Sequence, residues 1–133
     1  MVLQKTSFSD AASVTPEIIG EAGLTAFFSI AAEWGLSIDQ QRNLLGEPKK
    51  TTFFSWKKTR KFSLNRDTLD RISYLLGIYK AIHILFADST ALEWIRNRNK
   101  DPLFNGLSPL EYMLEGSVVN LADVRRYLDW ARG

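Results

Sequence analysis

The chain of 133 residues contains no cysteine, one histidine and only four prolines. Without thiols there is no disulfide framework and no thiolate metal site, a pattern that fits a reducing cytosol. The single imidazole, His83, lies on a mostly apolar stretch with no carboxylate cluster beside it. It reads as a packed structural residue, so neither a metal nor a cofactor is expected. Hydrophobic runs are short as well. The longest, LLGIYKAIHILFA at residues 75–87, falls below the ~20 residues that span a bilayer and carries Lys80 and His83. The opening MVLQKTSFSDAAS lacks an apolar segment behind a positive charge, so no signal peptide is expected and a cytoplasmic location is. The GxxxxGK, GxGxxG and GxSxG motifs are missing, which leaves nucleotide chemistry and an esterase elbow unsupported. The acid pair Glu111 and Glu115 has the i, i+4 spacing of a solvated helix face. The chain is therefore not expected to be an enzyme.

What is present is the composition of a folded globular protein, 45% hydrophobic and 12% aromatic, with length enough for one core or for two small helical units sharing one. The net charge of +2 conceals an uneven distribution. Residues 1–40 hold one lysine against five acids, residues 62–133 hold nine cations against nine acids, and residues 49–61, KKTTFFSWKKTRK, hold six cations and no acid. A concentrated basic patch of this kind is the footprint of a polyanion partner, although a solvated face or a grip for an acidic protein gives the same run.

Helical signals dominate and no strand alternation competes. Thr15, Pro16 and Glu17 form a helix start, with Gly35 stopping that helix after Trp34. Ser37 and Gln40 are spaced as a capping box for SIDQQRNLL, which ends at Gly46. The basic stretch is expected to be the next helix. At 100° per residue Phe53 and Trp56 fall on an inner stripe, while Lys50, Thr51, Phe54, Ser55 and Lys58 face outward. A long helix over about 66–86 places Leu69, Ile72, Leu76, Tyr79, Ile82 and Phe86 at helical spacing. Further helices are expected at STALEWIRN, after Ser108 and Pro109, and over about 121–130, with a loop RNKDPLFNGL between the first two.

A capped helix, a turn and a second helix with an apolar inside and a basic outside are the parts of a helix-turn-helix. The candidate DNA contacts are Lys49, Lys50, Thr51, Thr52, Ser55, Lys57, Lys58, Arg60 and Lys61. Lysines there release counterions from phosphates, and short hydroxyls reach base edges. The apolar Leu103 and Phe104 in the later loop, beside Leu110, Met113 and Leu114, form either a small second core or an exposed partner patch.

From Gly35 through LDRISYLLGIYKAIHILF, Trp94, Asn99 and PLFNGLSPLEYMLEG to VRRYLDWARG, about three quarters of the chain resembles the Xre/MbcA/ParS antitoxin family. The loop's usual Gly-Gly stands here as Asn105-Gly106. The resemblance implies an all-α fold, with an N-terminal Xre-like helix-turn-helix joined by a long helix to a small helical toxin-binding domain. The expected divisions are a flexible arm at 1–14, a DNA-binding domain at 15–77 and a toxin-binding domain at 78–133. It further implies an antitoxin that holds a RES-domain, NAD-consuming toxin inactive and represses the shared operon, with a homodimer expected inside a larger complex. Carried over residue by residue, the toxin-binding candidates are Trp94, Asn99, Leu103, Phe104, Arg125, Arg126, Trp130, Arg132 and Gly133. A stand-alone regulator whose C-terminal part only dimerises, and a pure protein-binding module, are the alternatives.

Overall fold

A computed structural model describes residues 13–133; residues 1–12, most of the expected arm, lie outside the described residues. The described residues form seven α-helices and one 3-10 turn and contain no strand. In chain order these are α1 (Pro16–Trp34), α2 (Ile38–Leu44), α3 (Lys50–Thr59), α4 (Arg66–Leu85), α5 (Asp88–Arg96), the 3-10 turn (Pro102–Phe104), α6 (Pro109–Leu114) and α7 (Val118–Arg132). None of the described helices is long and apolar enough to cross a membrane.

Local chemistry sets most boundaries. The Thr15 hydroxyl accepts the Ile18 N–H at 3.2 Å, and α1 ends where Gly35 turns left-handed at φ 65°. Ser37 and Gln40 form the reciprocal capping box of α2, with distances of 2.9 and 3.1 Å. Ser108 and Glu111 do the same for α6, so Glu111 is a capping residue and not merely a solvated acid. These bonds hold the Glu111 carboxyl below the ordinary glutamate range. Ser117 caps α7, which begins at Val118, three residues before the expected start of that helix.

The helix α4 is the spine, packed on α1 along one side and on α7 along another. That double duty moves its buried set. Thr68, Ile72, Leu75, Ile78, Ala81 and Ile82 are buried, whereas Leu69, Leu76 and Tyr79, expected on a single inner stripe, are only half-buried. A helix with two neighbours needs two apolar faces, and one stripe at a 3.6-residue period cannot describe it. One continuous cluster runs from Leu24 and Phe27 of α1 through Phe53, Leu75 and Ile78 to Phe104, Met113 and Leu128. Each fully buried side chain of this size stabilises the fold by about 1.5–3 kcal/mol relative to exposure.

Candidate nucleic-acid interface and partner cleft

The first candidate site is α3. Its inner anchor is Phe53, with no exposed surface, set edge-on to Phe28 of α1 at 5.7 Å between ring centres. Trp56, expected beside Phe53 on the inside, is half-buried against the edge of the core, because it lies about 60° round the helix from Phe53. Between α2 and α3 residues 45–49 make the turn. Gly46 and Glu47 have φ of 92° and 63°, and Arg42 Nε donates to the Pro48 carbonyl at 2.9 Å. The turn also rests against the Asp67–Arg71 ion pair at the start of α4. The angle at which α3 leaves the body is therefore tied at both ends.

Opposite Phe53, the side chains of Thr51, Ser55 and Lys58 make an exposed stripe at i, i+4 and i+7, flanked by Phe54 at 46% exposure. Lys49 is the N-cap residue of α3 and no side chain caps that end, so the first backbone N–H groups are available to a phosphate oxygen. Lys50 and Lys61 are exposed. Thr52 turns toward the body and is half-buried, which takes it out of the outer stripe. Lys57 and Arg60 lean back over the Phe28 ring, at 5.9 and 5.2 Å from its centre. Among the described residues none of the six cations of 49–61 forms an ion pair.

The second candidate site lies at the other end of α4. Trp94 is half-buried, stacked between Phe86 at 6.1 Å and Tyr127 at 6.4 Å. Phe104 has no exposed surface and meets Trp94, Tyr112 and Tyr127 edge-on. As a direct contact for a partner Phe104 is ruled out by burial; it sets the loop from below. Asn99 also builds the loop, its backbone N–H donating to the Leu107 carbonyl and its side-chain oxygen accepting from Asp101. Asn105 and Gly106 both take positive φ, 51° and 84°, so asparagine serves the left-handed position.

Of the four terminal candidates with charge or aromaticity, two are already engaged. Arg125 pairs with Asp129 at 3.1 Å, and its guanidinium lies across Gly77 of α4. Arg126 pairs with Asp123 at 3.2 Å, and Asp123 also accepts the Tyr112 hydroxyl at 2.8 Å. Burial first, and then that carboxylate, push the Tyr112 hydroxyl up to about 12. Trp130 is 77% exposed, and Arg132 and Gly133 are exposed at the chain end. Leu103, Asp123, Arg126, Tyr127 and Trp130 line an apolar cleft of about 400 Å³. Tyr127 had no mark in the sequence beyond lying within the terminal motif, and Asp123, one residue before that motif, had none.

A capped short helix, a fixed turn and a second helix anchored by one aromatic with a cationic outer edge define the helix-turn-helix class of protein. Residues 16–77 match the antitoxin Xre-like helix-turn-helix domain. The chain is also 47% identical over 126 residues to the uncharacterized protein y4oB of Sinorhizobium fredii (strain NBRC 101917 / NGR234), an alignment covering 94% of this chain and 91% of that relative. Residues 16–77 are thus an antitoxin Xre-like helix-turn-helix domain, and the chain as a whole belongs to one family with that relative.

Proposed function

We propose that the chain is the antitoxin of a type II toxin–antitoxin pair. It neutralises a cognate RES-like, NAD-consuming toxin in the cytoplasm by direct binding and represses its own operon through operator DNA, as a homodimer within a larger complex. The observation that carries this reading is the pairing of two different surfaces on one continuous core. One is the unpaired cationic stripe of α3; the other, beyond the far end of α4, is the exposed Trp130 beside an apolar cleft.

Under this reading residues 15–77 face DNA. Thr51 and Ser55 point to bases, and Lys49, Lys50, Lys58 and Lys61 to phosphates. Residues 78–133 face the toxin through Leu103, Arg126, Trp130, Arg132 and Gly133, with Trp94, Asn99, Phe104 and Arg125 holding that surface in shape. Co-expression with the product of the adjacent reading frame is expected to restore growth and to yield a complex that co-purifies. If the neighbour is not toxic and no complex forms, the pairing is wrong.

A further inference from the structure

Phe54 of α3 is 46% exposed and is not part of the core cluster. A lone exposed apolar side chain is ordinary on a protein surface, and it is the surroundings of this one that give it meaning. Its ring stands edge-on to Phe53 at 5.4 Å between centres, and Phe53, fully buried, is braced in turn by Phe28. One side of the Phe54 ring is thus held by the core while the other is open. A ring supported in this way loses little freedom when something covers it.

The neighbours of Phe54 one turn away, at i−4, i−3, i+3 and i+4, are Lys50, Thr51, Lys57 and Lys58. No acid lies anywhere in residues 49–61. An apolar groove on a protein partner that took in the ring would also have to desolvate the ammonium groups of Lys50 and Lys58 beside it. The major groove of a duplex meets both needs, since phosphates line its rim and the C5 methyl groups of thymine are the apolar features of its floor. The rest of α3 makes that methyl contact consequential. From Lys50 to Thr59 the helix has no Asn, Gln, Asp, Glu or Arg. Lysine fits phosphate as a point charge, and the Thr51 and Ser55 hydroxyls donate and accept alike, so neither kind of side chain separates the bases strongly. Arg60, just past the helix, leans over the Phe28 ring instead of outward.

Building on the DNA-binding reading of α3, we propose that Phe54 is a specificity-determining residue that reads the C5 methyl group of thymine in the major groove. The sequence preference of the chain then comes from an apolar contact, and the lysines around it supply affinity without regard to sequence.

The test starts from a duplex that the full chain selects from a random-sequence library at low salt. Each thymine in it is then replaced by deoxyuridine, which keeps the base pair and removes the methyl group alone. At one position or more this is expected to weaken binding about three- to five-fold, the size of one methyl group leaving an apolar contact. A 5-bromouracil at the same position, its substituent close to methyl in size, is expected to restore binding. Phe54→Ala keeps the thermal midpoint, because the side chain lies outside the core and alanine favours a helix. It keeps the salt slope as well, because no phosphate contact is lost, and it binds the thymine and deoxyuridine duplexes equally. Equal binding of the two duplexes by the wild type overturns the proposal without any variant. So does Phe54→Ala retaining the full difference, which moves the contact to another side chain such as Thr51. A changed oligomeric state of Phe54→Ala in light scattering puts the ring in a seam between copies and overturns it too. In these three cases DNA binding itself stands, whereas a chain that binds no duplex from the library overturns the DNA-binding reading and the Phe54 assignment together.

Discussion

At Gly77 the long helix has no side chain, and the Arg125 guanidinium of α7 occupies the space where a Cβ would stand. Replacing Gly77 with alanine improves intrinsic helix propensity by up to about 1 kcal/mol, yet it puts a methyl group where the guanidinium lies, so the Arg125 side chain must leave its place on α4. We expect Gly77→Ala to lose about 1–3 kcal/mol in urea unfolding, and the added change Arg125→Ala to recover most of it. An unchanged midpoint in the single variant means that Arg125 swings aside freely. Two tyrosines carry a pH prediction. Tyr79 is pushed up to about 12 by its hydrogen bond to Glu33 and by burial, and Tyr112 to about 12 by burial and Asp123. The folded state keeps these protons where an unfolded tyrosine, titrating near 10, has lost them. Their contribution is therefore fully present below pH ~10 and is lost as pH rises through about 12. Stability should fall across that window, less steeply in Tyr112→Phe. Full phenolate absorbance appearing at the ordinary tyrosine value, with the fold intact, contradicts the burial of these rings.

The helices themselves differ in how far their residues announce them. Caps were readable because they act within four residues: Thr15, the Ser37–Gln40 pair and Ser108 before Pro109 all sit where sequence spacing predicts. The inner face of α3 was half readable, since Phe53 is fully buried while Trp56 stays at the rim. The buried set of α4 was not, because which face is covered depends on α7, some forty residues on, and no local period carries that information. The same limit applies to the candidate site. A basic run names its lysines and arginines without saying that Lys57 and Arg60 fold back over Phe28. The helix geometry now separates them: Lys58→Gln should lower the magnitude of the salt slope of DNA binding by about one, as for one lost phosphate contact, and Lys57→Gln by clearly less. Equal slopes for the two variants would place Lys57 back on the duplex.

Across the whole molecule the two proposed functions share one core, and this decides how they can be separated. Leu121, Val124 and Leu128 of α7 are buried, and α7 packs along α4, which also supports the helix-turn-helix on its other side. Deleting residues 125–133 removes Leu128 and uncovers α4, at a cost of about 2–5 kcal/mol for that leucine alone, out of the ~5–15 kcal/mol that a domain of this kind typically holds. Such a truncation is expected to weaken partner binding and DNA binding together, and so says nothing about which surface does which. A side chain that contributes to the cleft and not to the core is the sharper instrument. Trp130 is 77% exposed, and among the described residues the one ring it meets is that of Tyr127, with ring centres 6.2 Å apart. Trp130→Ala should therefore shift stability by no more than about 0.5 kcal/mol. Its effect on the complex should be of a different order, because an aromatic side chain beside an apolar cleft, buried when a partner covers it, is a typical hot spot, at about 2 kcal/mol or more. The measurement is a dissociation constant for the co-purified partner set beside urea unfolding and duplex binding of the same variant. Loss of partner affinity with the other two unchanged assigns the cleft to recognition. Unaltered partner affinity removes Trp130 from the interface and leaves Leu103, Arg126 and Arg132 as the groups to test.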